Sequence, residues 1–255
     1  MARHLRHTPF ELIQALRMQD NSLCVTCPHR KFGICGALLA DQAEYSPAQR
    51  KPNWQRHQTA RPGAEIAIRN RVSEHVFVLC DGWAYRFFQL GNGRRQILNF
   101  LLPGDLFSAV AVFEEQFSFS AKALTSVQFS GFRRAEIQAR LSSNPDISKA
   151  LARSCAADAS RSDELLTALG QRSAEERIAY LFLHLIERIA ARRVIREQRY
   201  PFPLRQQHIA EAVGLTPVHV SRVLGHFRDR GVMELSGGVL EVLDLPELQR
   251  IGALC

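Results

Sequence analysis

Between residues 61 and 143 the chain alternates short, mostly apolar runs with turn residues. The runs cover residues 65–68, 76–79, 83–88 and 97–102, and Gly, Pro, Asn or Asp residues separate them. Runs of this length with polar breaks are typical of short β-strands in a small antiparallel barrel or roll. The segment Gly91-Asn92-Gly93 suits a hairpin turn, because Gly and Asn tolerate a positive φ. We therefore predict a cupin-like antiparallel β-roll over residues 61–143.

From residue 144 onward the apolar period becomes that of a helix. Asn144 and Pro145 suit the start of a helix, which we expect to cover residues 144–170. Small and apolar residues then recur at spacings of three and four, at Ala152, Cys155, Ala159, Ser162, Leu166 and Leu169. This spacing is typical of a coiled-coil seam, so we predict a dimerisation helix that pairs with a second copy of the chain. The alternative is that this face packs against the chain's own roll.

Residues 171–255 carry the pattern of a winged helix-turn-helix. Gly214 suits the left-handed position that ends a short helix. Thr216 suits the N-cap of the next helix, and Pro217 suits its first position. Two short strands around Gly237-Gly238 then predict a hairpin wing. The predicted fold class is α+β: an N-terminal cysteine loop, a cupin-like antiparallel β-roll, a long dimerisation helix and a winged helix-turn-helix.

The second helix of this motif is the candidate reading element. Helices in this arrangement enter the major groove of DNA. The side expected to face outward carries Thr216, Val218, His219, Ser221 and Arg222. Arg222 is the strongest candidate, because arginine donates two hydrogen bonds to guanine, worth roughly 1–3 kcal/mol of discrimination. The alternative for any single arginine here is a solvated surface charge.

Composition and charge agree with a nucleic-acid partner. The chain has 255 residues, with 33 Lys and Arg against 25 Asp and Glu, so its formal net charge is +8. An excess of positive charge favours an anionic partner, although a protein can also be basic without one. No apolar run approaches the length of about 18 residues that a transmembrane helix needs. Residues 1–20 lack the apolar core of a signal peptide, so we expect a cytoplasmic protein with no membrane partner.

The cysteines are unevenly distributed. Cys24, Cys27 and Cys35 lie close together in the N-terminal arm, which we place at residues 1–60, whereas the other cysteines are scattered. Cysteines in a reducing cytosol rarely form structural disulfides. Such a cluster therefore indicates metal or redox chemistry.

These elements, in this order, resemble the CRP/FNR family of bacterial transcription regulators. The resemblance is carried by Gly93-Arg94-Arg95-Gln96-Ile97, Leu102-Pro103-Gly104-Asp105, Ala174-Glu175-Glu176-Arg177, Gly214-Leu215-Thr216 and Val220-Ser221-Arg222. It implies that the β-roll is of the cyclic-nucleotide-binding type. It also implies a homodimer that binds a palindromic operator in double-stranded DNA and contacts RNA polymerase.

The cysteine cluster is similar to that of the FNR branch. There, three N-terminal cysteines and one distant cysteine hold an oxygen-labile 4Fe–4S cluster, and thiolates are suitable ligands for it. The resemblance implies a sensor of oxygen, redox state or nitric oxide. The distant cysteine would follow Thr125-Ser126, but Phe129 stands there. We therefore predict Cys80 as the fourth ligand beside Cys24, Cys27 and Cys35; Cys155, Cys255 and His29 are alternatives.

Other sensors within the family remain open. The chain could be constitutive, or could use a thiol, haem or zinc. Cyclic AMP is not expected, because the stretches that bind it in relatives resemble Ser108-Ala109 and Phe119-Ser120 here, without a cation. The surrounding phenylalanines are Phe107, Phe113, Phe117 and Phe119. Val218 also replaces a glutamate common on the recognition helix, so the operator is expected to differ from the usual half-site.

A cupin-type enzyme is a remote alternative. Cupin enzymes need clustered histidines with a carboxylate on the barrel strands. His75 is the only histidine between His57 and His184. We therefore predict that the chain is not an enzyme.

Overall fold

The first half of the chain forms an antiparallel roll of two sheets. The computed structural model describes residues 33–43, 55–192 and 198–253. Within them, the roll consists of β1 (Gln55–Ala60), β2 (Glu65–Ala67), β3 (His75–Asp81), β4 (Ala84–Gln89), β5 (Arg95–Leu101), β6 (Ser120–Ala123) and β7 (Val127–Arg133). The strand orders are β1-β7-β3 and β2-β6-β4-β5. The expected β-roll is confirmed.

The roll begins earlier than expected. Strand β1 pairs along its length with β7, from Gln55 opposite Phe132 to Ala60 opposite Val127. The roll therefore starts at Gln55 and not at residue 61. The strand was missed because its sequence, QRHQTA, has no apolar alternation. Its stability comes from pairing with β7 and not from its own pattern.

Three helices surround the roll in the described residues. They are α1 (Gly33–Ala43), α2 (Arg134–Leu141) and α3 (Pro145–Gln171). The long helix α3 starts where the sequence predicts, since the side chain of Asn144 accepts a hydrogen bond of 3.0 Å from the backbone N–H of Asp146. Helix α1 packs against α3.

The C-terminal part is a winged helix-turn-helix. Its elements are α4 (Ala174–Ala190), β8 (Arg199–Pro201), α5 (Gln206–Val213), α6 (Pro217–Asp229), β9 (Met233–Ser236), β10 (Val239–Val242) and α7 (Leu245–Gly252). Gly237 and Gly238 join the wing strands with φ of +56° and +78°. Strand β8 extends the wing by pairing with β10. Among the described helices, none is both long and apolar enough to cross a membrane.

The roll and the DNA-binding domain share one hydrophobic core. Trp83 of the roll packs edge-on against Phe202, with ring centroids 6.0 Å apart. Phe202 in turn contacts Phe182 of α4 at 4.7 Å. A second core fills the roll and takes up Ile34 and Leu38 of α1. The shared core holds the DNA-binding domain directly against the roll.

Candidate DNA-binding interface and sensor residues

Local sequence chemistry sets the turn before the recognition helix α6. Gly214 ends α5 with a φ of +68°, a value that favours glycine. The hydroxyl of Thr216 then caps α6 by accepting a hydrogen bond of 3.2 Å from the backbone N–H of His219. Pro217 occupies the first turn, where its missing N–H is not needed. The predicted helix-turn-helix is therefore confirmed at the level of its caps.

The recognition helix buries one face and exposes the other. Its buried residues are Val220, Val223 and Phe227. The predicted DNA contacts are all exposed and lie together at the start of the helix: Thr216, Val218, His219, Ser221 and Arg222. Val218 is 63% exposed, so its side chain is accessible to a partner. The structure thus gathers the predicted residues on one accessible surface.

The far end of α6 is neutralised by acidic neighbours. His226 Nδ1 lies 2.6 Å from a carboxylate oxygen of Glu175 in α4, and Arg230 lies 3.6 Å from the other oxygen. Arg228 pairs with its neighbour Asp229 at 3.3 Å. These pairs leave the N-terminal half of α6, which carries Arg222, as the part of this helix best suited to meet a nucleic acid.

Most of the predicted seam residues are exposed on α3. Ala152, Ala159, Ser162 and Leu166 face outward, and Leu166 is 71% exposed. Cys155 and Leu169 are half-buried. Cys155 packs against the roll core. The seam residues therefore share one side of α3, with two of them turned partly toward the chain's own interior.

The Pro-Gly-Asp turn of the roll is ion-paired to the helix that leads into the DNA-binding domain. Asp105 accepts hydrogen bonds from Arg192 at 2.6 Å and from Arg188 at 2.5 Å, both in or next to the last turn of α4. Its carboxylate also accepts from the backbone N–H of Leu102 at 2.7 Å. Burial opposes ionisation of Asp105, but the two guanidinium groups outweigh it and hold its pKa below the usual range. This turn therefore links the two domains.

A second link joins strand β5 to α5, the first helix of the helix-turn-helix. Arg95 donates to Glu211 of α5 at 2.9 Å and to the hydroxyl of Tyr85 at 3.2 Å. Gln96 donates to the backbone carbonyl of Ala212 at 3.0 Å. These arginine and glutamine residues belong to the Gly93–Ile97 motif that carries the family resemblance, and the structure gives them an interdomain role.

The described cysteines lie on different elements. Cys35 is on α1 and Cys80 is on β3, both half-buried, and no disulfide joins Cys35, Cys80 or Cys155 to one another. Cys24, Cys27, His29 and Cys255 fall outside the described residues. Across residues 33–43, 55–192 and 198–253, no three His, Cys, Asp or Glu side chains are close enough together to hold a metal ion.

Cys80 sits one strand away from the position that the resemblance assigns to a cysteine. Leu79 pairs with Phe129, Asp81 pairs with Gln128, and Cys80 lies at the β-bulge between them. Its sulfur contacts the hydroxyl of Ser130, so it lies on the face opposite to the Phe129 ring. A half-buried thiol beside a hydroxyl suits a thiolate ligand, and these residues fit an iron–sulfur centre to that extent.

Sequence reasoning missed two polar residues behind Cys80. Ser130 in β7 and His57 in β1 are 1% and 4% exposed. The Ser130 hydroxyl lies 2.8 Å from His57 Nδ1, and burial lowers the pKa of this histidine. The pair had no signal in the sequence, because β1 lacks apolar alternation and its register with β7 is a tertiary feature.

The roll interior differs from the expectation in two respects. Phe107, Phe117 and Phe119 are buried, but Phe113 is 61% exposed and is not part of this interior. A cation does lie beside the predicted phenylalanine cluster: the Arg86 guanidinium is 5.2 Å from the Phe119 ring. The apolar run at residues 83–88 gave no indication that Arg86 would lie beside these phenylalanines.

Arg86 is already engaged by the chain itself. It donates to the backbone carbonyl of Phe107 at 3.0 Å and pairs with Asp158 of α3 at 3.5 Å. Asp158 is also ion-paired with Arg161. The expectation that no cation stands there was wrong, whereas the absence of cyclic AMP as a ligand stays a prediction.

Comparisons with known proteins agree with the geometry. Residues 176–251 match the family model of the Crp-like helix-turn-helix domain, and residues 57–144 match that of the cyclic nucleotide-binding domain. Among solved structures, FixK2 from Bradyrhizobium japonicum has the same fold, with a TM-score of 0.71 and 22% identity; the match covers 78% of this chain and 98% of that one.

Curated relatives extend the match to the whole architecture. The nitrogen fixation regulation protein FixK of Azorhizobium caulinodans is 32% identical over 172 residues, which is 68% of each chain. The transcriptional activator protein FnrL of Cereibacter sphaeroides is 25% identical over 218 residues, covering 84% of this chain and 85% of the relative. These relatives are regulators and not enzymes. The chain belongs to the CRP/FNR family of DNA-binding transcription regulators.

Proposed function

We propose that this regulator is a homodimer that senses oxygen, redox state or nitric oxide through a 4Fe–4S cluster. Cys24, Cys27, Cys35 and Cys80 would hold the cluster through their thiolates. Such a cluster supplies a centre that reacts with oxygen or nitric oxide. The observation that carries the proposal is the position of Cys80, in a bulge of β3 directly beside the strand where the resemblance assigns a cysteine.

The packing of Cys35 supports the same ligand set. Its helix α1 is anchored by Ile34 and Leu38, which are 2% and 1% exposed. A ligand next to two buried anchors is held by the fold, whereas a ligand in a solvated arm has to be ordered on binding. The helix also packs against α3, which links the ligand-bearing segment to the proposed seam.

The exposed side of α3 supports the homodimer. Four of its six predicted seam residues are accessible, and Leu166 is a large apolar side chain left 71% exposed. Pairing two chains through this side would relate the two recognition helices by a twofold axis. We expect them to read a palindromic site with half-sites about 34 Å apart. Relatives named as transcriptional activators support contact with RNA polymerase.

The test is the metal content of protein purified without oxygen. Iron and sulfide are measured per chain, with the visible spectrum before and after exposure to air, for the wild type, C80A and C155A. We expect about four irons per chain and a brown colour that bleaches in air, as for a 4Fe–4S centre. C80A should lose the cluster, whereas C155A should keep it, because Cys155 packs against the roll core.

The outcomes separate the alternatives. Wild-type protein without iron that still binds DNA would overturn the proposal and favour zinc, haem, a reactive thiol or constitutive action. A cluster that survives C80A but not C155A would assign the fourth ligand to α3. Sedimentation of the wild type with and without the cluster then measures whether pairing of two chains depends on it.

A further inference from the structure

A row of polar side chains crosses three strands behind the sulfur of Cys80. Cys80 Sγ lies 3.2 Å from the Ser130 hydroxyl, and that hydroxyl lies 2.8 Å from His57 Nδ1. The side-chain amide of Gln55 also reaches the hydroxyl, at 3.3 Å. Strand register explains the row, because Ser130 in the central strand pairs with His57 on one side and with Val78 on the other.

Ser130 and His57 are buried, so their hydrogen bonds have to be satisfied within the protein. Ser130 is 1% exposed and His57 is 4% exposed. Burying a hydroxyl or an imidazole without a partner costs about 1–3 kcal/mol. An apolar residue at position 130 would avoid this cost and would suit the middle of a central strand. The polar residues therefore call for an explanation beyond packing.

The direction of the hydrogen bonds follows from counting protons. A serine hydroxyl has one proton and two lone pairs, and an amide nitrogen only donates. Gln55 therefore donates to Ser130. When Cys80 is a thiolate, the form that binds metals, its sulfur only accepts. Ser130 must then give its proton to the sulfur, and His57 must present an N–H at Nδ1.

This arrangement uses the one donor and both acceptor positions of the Ser130 hydroxyl. Ser130 accepts from Gln55 and from His57, and it donates to Cys80. The Cys80 sulfur also lies 3.8 Å from the backbone carbonyl oxygen of Val78, to which a thiol can donate. A thiol sulfur still accepts from Ser130, so the serine hydrogen bond is compatible with both forms of the cysteine, whereas an alanine at position 130 removes it. Hydrogen bonds to ligand sulfurs are among the factors that set the reduction potential of iron–sulfur centres.

We propose that Ser130 is a positioning residue that donates a hydrogen bond to the Cys80 sulfur, and that His57 fixes the direction of that bond. The inference rests on the proposed function, in which Cys80 is a cluster ligand. Through this bond Ser130 sets the reduction potential of the centre and its lifetime, without contacting iron. His57 acts one residue further away, by keeping the serine proton directed at the sulfur.

The test compares S130A with S130T in anaerobically reconstituted protein. The readouts are iron per chain, the reduction potential and the rate at which an iron chelator bleaches the visible spectrum. S130A should bind iron, show a more negative potential and bleach about fivefold faster, the effect of losing roughly 1 kcal/mol. S130T keeps the hydroxyl and should restore both values. S120A is the matched control, a roll serine whose hydroxyl accepts from the backbone N–H of Arg69.

A second pair keeps the inference testable if position 130 does not tolerate substitution. The side-chain amide of asparagine can supply an N–H near the position of Nδ1, whereas alanine cannot. H57N should therefore resemble the wild type, and H57A should resemble S130A. Thermal unfolding of the iron-free forms shows which variants are folded, independently of the cluster.

The possible failures are distinct. A wild-type protein that takes up no iron overturns the proposed function, and this inference with it. A wild type with a cluster, together with S130A of equal potential and equal lifetime, overturns the inference alone. Equal effects of S130A and S120A would also overturn it, since they would indicate a general loss of stability in the roll.

Discussion

The carboxylate of Asp105 accepts a hydrogen bond of 2.6 Å from Arg192, which follows the last turn of α4. Asp105 belongs to the roll, whereas Arg192 lies on the path into the DNA-binding domain. Arg188 binds the same carboxylate and is only 9% exposed. A half-buried acid between two arginines therefore helps to hold the DNA-binding domain on the roll, together with the shared core and the Arg95–Glu211 pair.

Neutralising Asp105 should destabilise the contact between the two domains. In D105N the buried Arg188 loses its counter-charge, and breaking a buried pair on one side costs about 3–5 kcal/mol. Urea unfolding at pH 7 should show a transition at lower denaturant concentration. D229N is the control, because Asp229 pairs with Arg228 on the surface and both side chains are mostly exposed. Equal stability of D105N and the wild type would contradict the role of this pair.

The same acid predicts a loss of stability at low pH. The pKa of Asp105 is lowered in the folded state, since its two arginines outweigh the effect of burial. Its contribution is therefore complete above the pKa of the unfolded chain, near 3.8, and is lost as the pH falls through the lower folded value. Unfolding measured between pH 5 and pH 2, in roughly half-unit steps, should show this component in the wild type and not in D105N.

His184 predicts a second and separate pH dependence. Burial, followed by the charges of Arg188 and Arg161, lowers its pKa from 6.5 to about 4. The unfolded chain therefore takes up a proton between these values that the folded protein does not. Stability should fall as the pH drops from 6.5 to about 4. H184Q should reduce this fall in stability, and an unchanged curve would contradict the lowered pKa of His184.

We expect Arg222 to determine much of the sequence specificity of DNA binding. We expect R222A to bind the specific operator roughly tenfold or more weakly, because one arginine–guanine pair contributes about 1–3 kcal/mol. The midpoint of thermal unfolding should not change, since the side chain is exposed. R228A is the matched control, because Arg228 is paired with Asp229 at the far end of α6. Equal loss in both variants would indicate contacts to phosphate alone.

Val218 should allow the sequence preference to be changed. A glutamate at this position can accept a hydrogen bond from the exocyclic amine of cytosine, which valine cannot do. Selection of binding sites from random DNA should show a new cytosine preference for V218E and none for V218A. The substitution is tolerated by the fold, because Val218 is 63% exposed. An unchanged preference would mean that this residue does not reach the base edges.

If the exposed side of α3 forms the dimer interface, a charge introduced there should weaken dimerisation. L166E places a carboxylate in the proposed seam, where it would lose hydration on pairing. Sedimentation should show a shift from dimer to monomer, with at least a tenfold weaker association. R153E introduces the same charge at an exposed position on another side of the helix and should have little effect. A dimer that persists in L166E would move the interface elsewhere.

Much of the architecture followed from local patterns. Asn144 and Thr216 are helix caps in the sequence and in the structure, because a cap depends on residues within one turn. The exposed face of α6 could also be predicted, since helical periodicity determines which side chains lie opposite Val220 and Phe227.

Elements and contacts that depend on distant residues could not be predicted from the sequence. Strand β1 has a polar sequence and exists because it pairs with β7. Arg192 binds Asp105, 87 positions earlier in the chain, and no local pattern predicts this pair. Arg86 is an ordinary strand arginine in the sequence, and only the approach of α3 brings Asp158 to it.

Local sequence patterns were sufficient to predict the order of the main domains, the caps of α3 and α6, the exposed face of α6 and the set of cysteines. These depend on periodicity and on the chemistry of neighbouring residues. Three features came only from the three-dimensional fold: Cys80 lies on the strand that pairs with the strand of Phe129, Ser130 and His57 lie behind its sulfur, and Asp105 joins two domains. The physical reason is that strand register and domain packing are set by burial over the whole chain, so contacts between distant residues have no local signature.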